Sequence, residues 1–234
     1  KSGKGVVASA VGAPKFEAGS IGQAIRVNNL KDGSVNNYVT LGYPSGLKFG
    51  DTGSFTVSFW TKLNSQADDQ AFISNKDWNS SNNRGWGVFS QGGSVIRVQL
   101  TGPSTADKYS QTPALGLNDT QWHQVTVIAD RAAGKSETYL DGSLVQSAAL
   151  ATKGSFDTDD LGFAINIGQD GTGKYTDNNA AEIDAVIDEL AIWSRPLGGV
   201  DVAGLYAKAL TGAGIVGAAP AALKLNGITA AGGN

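Results

Sequence analysis

The sequence predicts an all-β fold, a two-sheet antiparallel β-sandwich with one short C-terminal helix, and three observations carry that reading. Strand-like runs in which apolar and polar residues alternate recur along the whole chain. Turn signals separate them at intervals that suit a sandwich and are too short for strand–helix–strand units. Glycine supplies 32 of the 234 residues without a collagen-like period, which calls for many tight turns.

Gly22 to Asn28 (GQAIRVN) opens the series, followed by Asn37 to Leu41 (NYVTL). In Ser54 to Leu63 (SFTVSFWTKL) the residues Phe55, Val57 and Phe59 share one face while Thr56, Ser58, Trp60 and Lys62 share the other, so half of this strand is expected to be buried. Trp86 to Ser90, Ser94 to Leu100, Gln121 to Ala129, Glu137 to Leu140, Ser143 to Ala148, Phe163 to Ile167 and Glu182 to Trp193 complete the set. Asp141-Gly142 reads as a two-residue hairpin turn, because both central positions of a type I′ turn need positive φ. Over Gly199 to Leu210 the pattern changes to helical spacing, with Val202, Leu205, Tyr206 and Ala209 on one face and Gly212 just beyond. Residues 1–211 are expected to form the sandwich domain, and the Ala/Gly-rich residues 212–234 a last edge strand, hinted at over Ala222 to Asn226, or the start of a linker.

Composition excludes several classes of function. A net charge of -3 and no basic block argue against phosphate-tracking nucleic-acid binding. No apolar run is long enough to insert in a membrane. Cysteine is absent, which removes disulfides, thiolate nucleophiles and Cys-ligated metals together. Methionine is absent too and the chain starts at Lys1, so a processed product or a piece of something longer is expected.

Several strings, in order, resemble the laminin G-like branch of the concanavalin A-like jelly rolls. They are GSIGQAIRVNN (Gly19 to Asn29), NYVTL, GSFTVSFWTKL, WHQVTVIAD (Trp122 to Asp130), ETYLDGSLV, INIGQD (Ile165 to Asp170), VIDELAIWSRPL (Val186 to Leu197) and Leu205-Tyr206, together spanning roughly residues 5 to 211. The resemblance implies a twisted sandwich, one module of a larger extracellular or secreted protein, a carbohydrate-binding role and a structural calcium. It places Asn28 beside Asp188, and because Asn28 stands where the family often carries Asp and the loop Leu30 to Asn36 is longer, Asp32 or Asn37 is the replacement ligand, since calcium takes six to eight oxygens from carboxylates, amides and carbonyls. The alternative for Asp188 is that it accepts backbone hydrogen bonds in a turn.

The loop Asn75 to Trp86 (NKDWNSSNNRGW) collects the residue types that recognise sugars. Sugars present apolar C–H faces ringed by hydroxyls, so their receptors combine aromatic platforms with amide, carboxylate and guanidinium groups. Trp78 is the expected platform, with Lys76, Asp77, Asn79, Asn82 and Arg84 around it, and Trp86 either joins it or belongs to the core. Tyr109 and Tyr175, each in a polar loop, complete a groove for a polysaccharide or glycan if the three loops meet. Alternatively Lys76, Asp77 and Arg84 form an ion network that fixes the loop, and the module is a structural or adhesive spacer.

A polysaccharide-cleaving enzyme is the third reading. Retaining glycosidases need two carboxyls about 5 Å apart. Glu182 and Asp184 alternate suitably in EIDAVIDE, but Val186 interrupts the row and Asp188 and Glu189 fall out of step, so no enzyme is expected. His123, the single histidine, sits in an alternating strand and reads as a residue satisfied by its neighbours.

Overall fold

The computed structural model describes residues 6–30, 32–65, 71–79, 83–92, 94–104, 106, 108–151, 154–176 and 182–214. Its strands are β1 Ser9–Val11, β2 Lys15–Ala18, β3 Gln23–Leu30, β4 Asn36–Gly42, β5 Phe55–Leu63, β6 Ala71–Ser74 and β7 Gly85–Gln91. They continue as β8 Val95–Thr101, β9 Lys108–Gln111, β10 His123–Asp130, β11 Lys135–Leu140, β12 Ser143–Ala149, β13 Ile165–Ile167 and β14 Glu182–Trp193, and the helix α1 spans Gly199–Leu210. The edge strand expected over 222–226 lies outside the described residues.

The strands pair in the order β12-β11-β10-β5-β14-β3-β4-β13-β6-β7-β8-β9, with β2 beside β3 and β1 beside β4. The path folds over at the short β3–β4 pairing, where Asn28 faces Asn37 and Asn29 faces Asn36, and gives the two layers of a jelly-roll sandwich. Buried Asn29 pins this crossing: its amide donates to the Gly168 carbonyl at 2.8 Å and its Oδ1 accepts from the Asn37 N–H at 3.0 Å. Val27, Val57, Phe59 and Ile187 from one layer meet Ile73, Val88, Ile96 and Val98 from the other in a single core. Phe59 and Phe72 lie 5.3 Å apart between ring centroids inside it.

Alternation along β5 predicts a half-buried strand, yet every residue of β5 except Lys62 is buried. The cause is α1, which covers the outer face. Val202 and Leu205 pack on Ile128, Tyr139, Ala191 and Trp193, and Tyr206 stacks on Trp60 at 5.6 Å. Thr56 completes the seal, donating through its hydroxyl to the Arg195 carbonyl at 3.0 Å and accepting from the Leu197 N–H at 3.0 Å. The hairpin turn is as expected, with Asp141 at φ 50 and Gly142 at φ 78.

Candidate functional site

The loop after β6 folds back on the outer face of the sheet formed by β6, β7 and β8. Trp78 therefore does not project as a platform: it is 6% exposed, stacked on Phe89 at 3.7 Å, with the Arg97 guanidinium 5.7 Å from its ring centroid. Ala71 and Tyr175 close the same small cluster. Lys76 is fully buried, donating to the Asn83 carbonyl and, at 3.3 Å, to the Thr101 hydroxyl. Burial, helped by nearby Lys108 and opposed by Asp77, pulls its ammonium down to about 7. Trp86 belongs to the main core, 5.1 Å from Phe55, and Tyr109 is buried in that core as well.

Two of the three expected loops do meet. Buried Asp170 joins them, accepting from the Trp78 N–H at 3.0 Å through Oδ2 and from Thr172 and Gly173 through Oδ1. The Gly171 N–H donates to the Lys76 carbonyl at 2.7 Å. The convergence packs Tyr175 against Trp78 and leaves neither ring free, so the groove with three aromatics does not form. Asp77, Asn79 and Arg84 stay at the surface, while Asn82 lies outside the described residues. Asp77 Oδ1 accepts from the Asn79 N–H at 3.0 Å, and Arg84 pairs with Asp160.

That ion pair leads to a cleft absent from the sequence reading. It is lined by Tyr43, Leu47, Lys48, Asn75, Thr158 and Phe163, among others. Tyr43 is 52% exposed, and its hydroxyl donates to the Gly162 carbonyl at 2.9 Å, which holds the ring at the cleft mouth. Lys48 pairs with Asp159 at 2.5 Å, and that hydrogen bond raises the lysine above its ordinary value. Asp157 is unavailable for a ligand, since its oxygens accept from the Phe49 and Gly50 N–H groups at 2.9 Å each. A signal for this cleft does exist in the sequence: Tyr43 lies outside any alternating run, between Gly42 and Pro44, where the core cannot absorb it.

The four expected calcium ligands do not fit the ion. The β3–β14 register sets Asn28 opposite Asp184, which leaves Asp188 four residues further along, about 13 Å away at strand rise. Asn37 donates to Asn28 Oδ1 at 2.8 Å and accepts from the Ala13 N–H at 2.7 Å. Asp32 closes its own turn, accepting from the Ser34 hydroxyl at 2.6 Å and N–H at 2.9 Å, bonds that hold its carboxyl below the usual value. Asp188 accepts from the N–H groups of Ile21 and Glu189, both at 2.8 Å. No group of three or more His, Cys, Asp or Glu side chains that could hold a metal ion occurs among the described residues.

Asp184 accepts from Arg26 in a bidentate pair and from Asn64 at 3.1 Å, so its oxygens are engaged on the outer face. The side chain of Glu182 lies outside the described residues. His123 is held at both ring nitrogens, with Nδ1 2.8 Å from Asp141 and Nε2 3.1 Å from Asp119. Burial opposes its charge, but the two carboxylates outweigh burial and raise its pKa above the ordinary value. A raised histidine stabilises the fold fully below its unfolded pKa, and that contribution is lost as pH rises through the folded value. Thermal midpoints of the wild type are thus expected to fall across that window, and a His123→Gln variant is expected to lack this component; equal slopes in the two proteins would refute the clamp.

Residues 32–203 match the family model of the concanavalin A-like lectin/glucanases superfamily, of the laminin G type. The chain belongs to that superfamily. No curated protein matches it. Similar solved structures include the binding domain of Paraclostridial Mosquitocidal Protein 1 (14% identity, TM-score 0.67, covering 87% of this chain and 48% of that one). Another is the binding domain of botulinum neurotoxin serotype G (19% identity, TM-score 0.66, 87% and 47%). A third is botulinum neurotoxin type C, whose cell entry depends on interaction with two ganglioside molecules (17%, 0.64, 88% and 47%). The chain thus spans about half the length of each of these structures, and the likeness is one of fold. Among the described residues no helix is long and apolar enough to cross a membrane.

Proposed function

We propose that this protein is a non-catalytic carbohydrate-binding module that takes a glycan at the Tyr43 cleft. The observation that carries the reading is the Tyr43 ring, half exposed at the mouth of a surface cleft that Lys48 also lines, paired with Asp159. The Arg84–Asp160 pair lies one residue along from Asp159, which brings part of the expected loop to the same rim. An aromatic face beside charged hydrogen-bonding groups suits a sugar ring and its hydroxyls. Superfamily membership and the ganglioside dependence of botulinum neurotoxin type C support the class of ligand. The matched chains are about twice as long, so the present chain fits the role of one module of a larger extracellular protein, and a polysaccharide is the ligand to try first.

Tyr43→Ala is expected to weaken binding to the best ligand of a glycan panel about five- to tenfold, equivalent to about 1–1.4 kcal/mol of stacking, without moving the thermal midpoint. EDTA is expected to leave that affinity unchanged. Calorimetric titration of both proteins checks this, and an unchanged Tyr43→Ala affinity would sink the site. The packed state of Trp78 favours a second reading, a structural or adhesive spacer, for which no glycan raises the midpoint at all.

A further inference from the structure

Among the described residues β12 ends the strand order, paired on one side with β11 and on the other with nothing. The Leu150 N–H donates to the Gly134 carbonyl at 2.8 Å, which makes these two a hydrogen-bonded pair of the antiparallel ladder. Two and four residues back, Ala148 and Gln146 face β11 in the same way, so the N–H and C=O groups of Ser147 and Ala149 point away from it. The inner face of the strand is tied down, with Gln146 donating to the Gln111 side chain and Ala148 packed against the core. Ser147 and Ala149 are exposed, as are Leu144 at 52% and Val145 at 43%.

An open edge of this kind is a template for another extended backbone, and proteins blunt it with lysine, proline or a very short strand. β9, at the opposite end of the order, follows that rule: it is four residues long and carries Lys108. β12 has seven residues, SLVQSAA, without a charge or a proline. The bulge beside Thr138 and Tyr139 leaves Gln146 to Ala149 in regular register. An antiparallel pairing of that stretch with itself, about a two-fold axis at Ala148, sets Ser147 of each copy opposite Ala149 of the other. Every outward N–H of the two strands then meets an outward carbonyl, and no charge faces its like. A second copy obtains this match by symmetry alone, which singles it out as the occupant.

We propose that β12 is a self-association edge, at which two copies of this chain pair their β12 strands antiparallel and join their sheets into one across a two-fold axis. A pairing this short makes a weak and reversible dimer. Sedimentation equilibrium of the full chain tests it, together with amide hydrogen exchange in dilute and concentrated protein. The wild type is expected to dimerise below about 1 mM, with exchange at Ser147 and Ala149 slowed at least about fivefold in the concentrated sample. Ala149→Pro removes an outward N–H and leaves the β11 ladder whole, and Ser147→Lys puts a charge on the edge. Each is expected to weaken dimerisation at least about tenfold, with the far-ultraviolet dichroism of dilute protein unchanged. A wild type that stays monomeric at about 1 mM would overturn the proposal, as would a dimer that both variants leave at full strength. Exchange at Ser147 and Ala149 that ignores concentration overturns it too, whatever the variants do to folding. Oligomers that keep growing past the dimer do the same, since a head-to-tail contact then joins the copies.

Discussion

Trp78→Ala is expected to lower the stability of this protein by about 3–4 kcal/mol, the cost typical of emptying a packed aromatic site. The indole lies between Phe89, stacked at 3.7 Å, and the guanidinium of Arg97, with Ala71 and Tyr175 at its edges. Truncation removes the partner of all four and leaves a void that the β6–β7 framework cannot collapse into, because Gly85 and Gly87 already hold the backbones in close approach to Asn75, Lys76 and Phe89. The Trp78 N–H bond to Asp170 survives the substitution, so the two loops stay joined and the loss reports packing. Urea unfolding gives the number, with an unchanged denaturant slope expected if the denatured state is unaltered. A loss below about 0.5 kcal/mol, the range of ordinary surface substitutions, would mean that the ring is exposed and would restore it as a sugar platform.

The contrast between Trp78 and Tyr43 shows how far the sequence can be read. Alternation located the long strands within a residue or two, and β14 and α1 at their observed bounds, because a period of two or 3.6 is a property of the chain itself. It missed β1, β2, β6 and β9, three or four residues each, among them AFIS, buried at every position and so without alternation, and KYSQ, which sits in a polar loop. The partners of Trp78 are remote: Phe89, Arg97 and Tyr175 come from β7, β8 and a loop before β14, and the polar neighbours of Trp78 in sequence say nothing of them. The calcium set failed for a related reason. A pairing of Asn28 with Asp188 requires a register that only the folded β3–β14 ladder defines, and that ladder selects Asp184. Tyr43 was legible in principle, as an aromatic stranded in a Gly-Tyr-Pro turn, yet the acidic segment that lines the cleft with it, Asp157 to Asp159, lies more than a hundred residues away.

Asp188→Ala is expected to be the second most damaging substitution, costing about 3 kcal/mol near pH 4.5 and about 1 kcal/mol near pH 7.5. The carboxylate is the acceptor for the N–H groups of Ile21 and Glu189, so it fixes the β2–β3 hairpin to β14 at the bulge where Glu189 is held at φ 45. Gly19 shows how closely the hairpin wraps it, since a Cβ at that position would come within 2.4 Å of Asp188 Oδ2. Alanine leaves both part-buried donors without this acceptor. The pH dependence follows from burial, which lifts the carboxyl to about 6 against the backbone hydrogen bonds that pull it down. An unfolded aspartate titrates near 3.9, so between about pH 4 and 6 the unfolded chain loses its proton first and the wild type loses stability as pH rises. The alanine variant has no such group, and the gap between the two proteins must narrow over the same interval. Urea unfolding of both proteins at pH 4.5, 6 and 7.5, with and without EDTA, checks the claim. A gap that is constant with pH would remove the raised carboxyl, and a gap that appears only when calcium is present would return Asp188 to the role of a metal ligand.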